Sequence, residues 1–488
     1  KINGCDIYKL AGTEFIPFIV DNGTYERMLQ FALETPAMYF SYSYDITHSL
    51  QRLHNVAPEF HNMSLTSRAD NRFLWNGHLL KDFSHQQFSK FTLPVIQGFV
   101  SINTVTVAGN QLQWSLVSRR AVQRAGTRYF MRGVDNQGYA ANYVETEQIV
   151  ERGTEKASFV QTRGSIPLHW SQYPDLRYKP PPTLAPGDHV AAYTAHMRDQ
   201  IQRYGDQVLV NLIDQRGAEL TLEAGFRAAV ASGALAGVRY EPFDFHAECR
   251  AMRYDRLSVL MDRVEHEQVW WSYSVLRCTQ SGVFRTNCVD CLDRTNVVQS
   301  LLARRQLAAA LKLLAVTTAD PGEAFDKLFK NVWADHADAI SVQYSGTGAL
   351  KTDFTRTGKR TRRGLIADGV NSLTRYYKNN FADGFRQDSI DLFLGKYTVL
   401  EGEGLTLPCP LRQGRDWRVV AFPSVLVVAV SMFCASAVLP SRYSSEVLLY
   451  LMFWGAAVGA TLTYIFRLVF FLWQTGKWTT KFFFIISV

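Results

Sequence analysis

Three segments in direct succession constrain the fold of this chain most. VFRT, Val283–Thr286, is a short β-type run. RTNCVDCLDRTN, Arg285–Asn296, is polar and irregular. NVVQSLLARRQLAAALKLLAV, Asn296–Val316, is rich in Ala, Leu, Gln, Arg and Lys and lacks Gly and Pro. The last run predicts a strong helix with Thr295 or Asn296 at its N-cap. Upstream, helical runs such as His189–Arg203 alternate with short strands such as VLVNLI, Val208–Ile213. That alternation predicts an α/β sheet with the loop at the carboxyl end of a strand. From Leu93 to Leu168 the pattern is strands separated by AGNQ, DNQG and ERGTEK. It predicts an antiparallel meander in which RYFMRGV, Arg128–Val134, is one strand.

The loop places Cys288 six residues before Arg294. Between a strand and a helix, this spacing suits a phosphate cradle. The backbone N–H groups of Val289, Cys291 and Leu292, with the helix start at Thr295 and Asn296, can converge on one tetrahedral anion. Arg294 can hold two of its oxygens in a fork. Cys288, in the same positive field, can attack phosphorus as a thiolate. Zinc on Cys288 and Cys291 would need a second pair of ligands, and Cys278 lacks suitable spacing; a dedicated redox pair is a further alternative. Cys291 alone reads as a small buried thiol, or as a partner that traps oxidised Cys288 in a disulfide. The loop has no glycine between Cys288 and Arg294 and carries Asp290 and Asp293 instead. Either these carboxyls hold the loop or Arg294, or one is protonated beside the phosphate and acts as general acid. No metal or cofactor is required, because Arg294 and the amides supply the positive charge.

The loop resembles the catalytic motif of the Sac-domain phosphoinositide phosphatases. Also similar to that family are SFVQTRGSIPLHWSQ (Ser158–Gln172), FDFHAEC (Phe243–Cys249), QYSGTGALKTDFTRTGKRT (Gln343–Thr361) and YYKNNFADGFRQDSIDLFLG (Tyr376–Gly395). The likeness covers nearly the whole chain and is nearest to membrane-anchored members of the endoplasmic reticulum and Golgi that act on phosphatidylinositol 4-phosphate. It implies Cys288 as nucleophile and Arg294 as phosphate ligand. It also favours Arg163, in the QTRGS run, as a residue that reaches the substrate, against a structural ion pair. His246 in FDFHAEC reads as structural. Family members have a longer amino-terminal domain and this chain opens without Met. Residues 1–92 are therefore expected to be the remnant of an amino-terminal Sac domain, and 93–395 the catalytic domain. A membrane-bound protein tyrosine phosphatase and a catalytically silent phosphoinositide-binding tether are the competing functions.

The formal net charge is +8, unevenly placed. Lys351, Arg356, Lys359, Arg360, Arg362 and Arg363 fall within thirteen residues, opposed in that run only by Asp353. This is either a solvated loop or a patch for an anionic membrane surface, with Lys351, Lys359 and Arg360 near the headgroup. Interleaved stacking aromatics and zinc-finger spacing are lacking, so nucleic acid is not an expected partner. Seven scattered cysteines suit a reducing compartment.

Val419–Leu439 and Val447–Phe466 are uncharged apolar runs, each long enough to cross about 30 Å of hydrocarbon as a helix. Arg412, Arg415 and Arg418 precede the first; Arg467, Lys477 and Lys481 follow the second. This charge bias predicts two cytosolic ends and a luminal connector. The expected architecture is a mixed α/β (α+β) cytosolic body with a cysteine-phosphatase-type loop. A linker at 396–417, a transmembrane hairpin at 418–473 and a cytosolic tail at 474–488 complete it.

Overall fold

The computed structural model describes residues 1–14, 23–83, 85–174, 179–250, 253–270, 274–275, 279–317, 321–399, 417–438 and 444–474. Most of the linker expected at 396–417, the middle of the connector and the tail beyond 474 lie outside these. Lys1–Glu401 form one compact unit and Gly402–Val488 a second.

The first unit is built on one ten-stranded sheet. Its strands in chain order are β1 (Tyr8–Lys9), β2 (Met38–Phe40), β3 (Ile96–Val107), β4 (Asn110–Arg120), β5 (Val144–Arg152), β6 (Glu155–Arg163), β7 (Asp206–Asn211), β8 (Val238–Pro242), β9 (Ser274–Val275) and β10 (Gly282–Asn287). The spatial order is β1-β2-β3-β4-β5-β6-β10-β7-β8, with β9 added beside β6. From β1 to β6 every pairing is antiparallel. From β6 through β10 and β7 to β8 every pairing is parallel. The sheet thus changes character at β6, and the strand that feeds Cys288 is interior to its parallel half.

Arg128–Val134, expected as a strand, is instead turns closed by an isolated bridge between Val134 and Ala140. Its two arginines, Arg128 and Arg132, converge on Asp290, as described below.

Ten helices matter to the argument: α1 (Gly23–Glu34), α2 (His189–Tyr204), α3 (Leu220–Gly233), α4 (Asp293–Leu313), α5 (Glu323–Ser345), α6 (Thr352–Thr357), α7 (Arg362–Tyr377), α8 (Asp383–Phe393), α9 (Trp417–Val438) and α10 (Ser445–Gln474). On α4 the buried residues Val298, Leu302, Leu307, Ala310 and Leu311 recur at helical spacing. With Phe325, Phe329 and Trp333 of α5 they cover one sheet face around Trp114, Phe159, Val208, Val210 and Phe284. The opposite face takes α2 and α3, through Tyr193, Met197, Leu222 and Phe226 against Leu209 and Ile213. Alternation along β7, with Val208 and Val210 to one side and Leu209 to the other, follows from the two-residue strand period. α5 stops at Gly346, whose φ of 77° is left-handed and whose N–H caps the Val342 carbonyl at 3.0 Å.

The amino-terminal segment is bound to the meander by buried charge. Arg119, fully buried, donates to Glu145 at 3.0 Å and Glu147 at 2.8 Å, and to the carbonyls of Ile46 and His48. Glu147 also accepts the Leu50 N–H at 2.7 Å.

In the second unit α9 and α10 pack on each other, and a Cβ at Gly455 would sit 3.4 Å from the Phe433 ring. Ser445–Tyr464 is long and apolar enough to cross a membrane; the described apolar part of α9, Val425–Val438, is shorter.

One stability prediction follows from the Arg119 cluster. Arg119→Met leaves buried Glu147 without its guanidinium and Glu145 with only Arg72 at 4.0 Å, and should cost about 3–5 kcal/mol. The urea midpoint of the chain, followed by tryptophan emission, is expected to fall clearly. An unchanged midpoint would remove this cluster from the fold's support.

Candidate active site

Cys288 follows β10 directly, at the carboxyl end of the strand, and is 2% exposed. The helix that receives the loop begins at Asp293, earlier than the sequence suggested. Leu292 stands at the N-cap, with φ −112° and ψ −104° and no side-chain cap. Thr295 and Asn296 therefore lie in the first turn, not at the cap. Their side chains are free for other bonds. Thr295 Oγ1 donates to the Cys288 sulfur at 3.4 Å. Asn296 turns inward, where its Nδ2 reaches the Trp333 carbonyl at 3.1 Å and its Oδ1 meets His336 Nδ1 at 3.1 Å. The first N–H groups of an α-helix have no intrahelical acceptor, so the start of α4 presents donors beside Cys288.

Side chains on both faces anchor the loop. Val289 is buried among Leu209, Ile213 and Phe226, and Leu292 among Val144, Ile340 and Tyr344. Cys291 has a left-handed φ of 52°, and its thiol donates to the Gly164 carbonyl at 3.0 Å. Burial, and then the neighbouring Cys288, push the Cys291 thiol up to about 12, so it stays protonated.

The two aspartates part company. Asp290 is gripped by Arg128, at 3.0 and 2.7 Å from Nε and Nη2, and by Arg132 at 2.6 Å. Arg132 also donates to the Val289 carbonyl and the Tyr344 hydroxyl, both at 2.8 Å. Burial opposes ionisation, but the Arg128 and Arg132 charges outweigh it and hold Asp290 far below the usual carboxylate range. Two guanidiniums thus hold Asp290 as a carboxylate. Asp293 has no such guanidinium bond. Its Oδ1 accepts the Leu350 N–H at 3.1 Å, and burial raises its pKa above the usual value despite Arg375 nearby.

Arg294 is held in place by acids. It donates to Glu219 through Nη1 and Nη2, each at 3.1 Å, to Asp214 at 3.3 Å and to the Leu212 carbonyl at 3.1 Å. Burial disfavours its charge, but Cys288, Glu219 and Asp214 more than restore it. Asp214 in turn meets Nδ1 of the exposed His246 at 2.7 Å. Asp214 and Glu219 follow β7 and were not singled out from the sequence. NLIDQRGAE carried the signal, since two carboxylates there leave the end of a buried strand. Arg128 was missed because RYFMRGV reads as a strand.

Arg163 is buried near both loop cysteines and not exposed at the surface. It is 1% exposed, on β6 beneath the loop, and donates to Asn296 at a long 3.4 Å. Its Nε and Nη1 have no hydrogen-bond partner among the described residues. Burial pushes its pKa down to about 10, against the opposing pull of Cys291 and Cys288. Packing of β6 under α4 closes its path outward. Arg285, also buried, donates to His196 Nε2 at 2.9 Å and the Ser165 carbonyl at 2.7 Å.

The basic run is partly neutralised, beyond the single opposing Asp353 within it. Arg360 pairs with Asp353 and Asp368, and Arg356 with Asp335 and Asp338. Lys351 and Lys359 are exposed. Lys351 follows Leu350, so this segment touches the loop through the Leu350–Asp293 bond. No cluster of His, Cys, Asp and Glu able to hold a metal occurs among the described residues.

A family model described as the SacI homology domain matches residues 1–250. The chain is 53% identical over 481 residues to a Drosophila melanogaster protein named phosphatidylinositol-3-phosphatase SAC1, covering 95% of this chain and 81% of that one. It is 39% identical to the Saccharomyces cerevisiae protein of the same name, covering 91% and 74%. To the Arabidopsis thaliana phosphoinositide phosphatase SAC6 it is 38% identical, covering 88% and 76%. By domain model and by identity along most of its length, the chain belongs to the Sac-domain phosphoinositide phosphatases.

Proposed function

We propose that this phosphoinositide phosphatase hydrolyses phosphatidylinositol 4-phosphate, and its 3-phosphate isomer, in the membrane that anchors it. The observation that carries the reading is the gathering of Arg294, Thr295 and the start of α4 around Cys288 at the end of β10.

The phosphate enters beside the helix start and competes with Glu219 and Asp214 for the Arg294 guanidinium. A phosphate dianion also offers that fork two oxygens, and it carries one more charge than the Glu219 carboxylate, which holds the guanidinium through both of its oxygens. Cys288 attacks phosphorus in line as the thiolate. The S–P bond forms as the bond from phosphorus to the inositol oxygen breaks. Asp293, whose environment favours its neutral form, donates the proton that the leaving alkoxide needs. Water then attacks the cysteinyl-phosphate, returns the thiolate and frees inorganic phosphate. Asp290 takes no proton step; with Arg128 and Arg132 it keeps the loop in register. The exposed Lys351 and Lys359 add to the field that draws an anionic headgroup.

Membrane anchoring is part of the same proposal. The apolar side chains Leu449, Met452 and Phe453 of α10 are exposed, as lipid-facing residues would be. With the second apolar run in α9 and arginines and lysines at both ends, a hairpin with cytosolic ends and a luminal connector is the topology that fits. An endoplasmic reticulum or Golgi address accords with the resemblance.

Two experiments test the chemistry. Phosphate release by the reconstituted chain is measured from each phosphoinositide and from a phosphotyrosine peptide. Cys288→Ser should lower release from the lipid by at least about 10³-fold, a loss on the scale of removing an essential nucleophile. Residual activity near the native level would refute the covalent route, and a strong preference for the peptide would favour a tyrosine phosphatase.

The second concerns Asp293. As a proton donor with a raised pKa, it is competent below that pKa and fails as pH rises through it. Native kcat should therefore fall on the alkaline side. Asp293→Asn should flatten that limb and lower kcat about 10²-fold for the inositol substrate. It should lower kcat far less for p-nitrophenyl phosphate, whose leaving group needs no proton. Equal losses on both substrates would exclude Asp293 as the acid.

A further inference from the structure

α7 carries an apolar face that nothing in the described structure covers. Leu365 is 58% exposed, Ile366 69%, Val370 59%, Leu373 71% and Tyr377 50%. At about 100° per residue these positions fall on one side of the helix. The other side is committed to the body. Arg375 there is buried, and donates to Thr347 Oγ1 at 3.0 Å, the Gly348 carbonyl at 2.9 Å and Ser341 Oγ at 3.1 Å. α7 is thus an amphipathic helix with its apolar half turned to solvent.

The charges at its amino end run against helix electrostatics. Arg362 and Arg363 occupy the first turn, Lys359 precedes them, and no acidic residue stands in that turn. Cations at a helix amino terminus meet the positive end of the dipole and are unfavourable there. Arg356 and Arg360 are bound by carboxylates, whereas Lys359, Arg362 and Arg363 have no ion pair among the described residues. An exposed apolar row with unpaired cations at one end is the composition of a surface that lies in an anionic lipid interface.

The position of α7 also matters. Arg375 holds the Thr347–Gly348 backbone, and two residues on, the Leu350 N–H bonds Asp293 at the start of α4. Two short steps of backbone connect the apolar helix to the loop that takes the phosphate.

We propose that α7 is a docking helix for the anionic bilayer that holds the substrate. Its row from Leu365 to Tyr377 enters the headgroup region, and Lys359, Arg362 and Arg363 contact acidic lipids. This seats the Cys288 loop at headgroup height. The inference rests on the lipid-phosphatase reading above, and the test separates the two.

The full chain is reconstituted in phosphatidylcholine vesicles containing phosphatidylserine and phosphatidylinositol 4-phosphate, and compared with the double variant Ile366→Gln, Leu373→Gln. The variant should cleave the vesicle lipid about tenfold more slowly, as expected from loss of interfacial apolar burial. It should cleave water-soluble dibutanoyl phosphatidylinositol 4-phosphate within about twofold of native, since no group of the site is altered. Equal rates on vesicle lipid would overturn the docking role. A parallel Leu373→Trp chain should show tryptophan quenching by brominated lipid in excess of the native chain, and absence of that excess would overturn the docking even if the double variant folds poorly. Self-association in detergent that the double variant abolishes, without lipid quenching, would assign the face to a second copy and overturn it as well. Failure of the native chain on the dibutanoyl substrate would count against the phosphatase reading alone, because the quenching measurement does not depend on turnover.

Discussion

The arrangement of the site depends on one ionic contact, the grip of Arg128 and Arg132 on Asp290. A carboxylate inside a loop meant for phosphate would repel its ligand. With a guanidinium on each side, its charge is spent inside the protein instead. The same contact ties the loop to the turn that follows β4, because Arg132 also reaches the Val289 carbonyl. Asp290 thereby trades electrostatic cost for position. The remaining cation, Arg294, is held by longer bonds to Glu219 and Asp214.

Around this contact the protein accumulates positive charge in two shells. Arg128, Arg132 and Arg294 are paired with acids, and Arg163 and Arg285 lie buried beneath the loop with neutral partners. The inner pair bears the larger desolvation cost, seen in the lowered pKa of each. Two unpartnered nitrogens on Arg163 are the clearest sign that this charge is retained against the preferences of a core.

Much of this was legible in the residues. The alternation of helices and short strands before Val283 announced an α/β sheet with the loop at the carboxyl end of a strand, and the loop does leave β10 at that end. The meander from Leu93 was legible from its turn residues. The motif also named Cys288 and Arg294. What failed was whatever depended on long-range partners. The order of strands that inserts β10 between β6 and β7 has no local signature, so Asp214 and Glu219 could not be matched with Arg294. The direction of Arg163 depended on which face α4 would cover. The choice between Asp290 and Asp293 required Arg128, which lies 162 positions away in the chain. The helix began three residues early because Leu292, with no capping side chain, is placed by its apolar contacts and not by a capping bond.

The absence of glycine between Cys288 and Arg294 acquires a different meaning once Cys291 is seen in the left-handed region. A glycine there would adopt that backbone without strain but would also sample many others when the site is empty. Cysteine pays a small steric penalty, and the loop gives up conformational freedom before any ligand arrives. Val289 and Leu292, each locked into a separate apolar cluster, restrict it further. Any anion that enters this loop would meet a receptor whose ordering entropy was already lost during folding, and less of its binding free energy would go into shaping the loop.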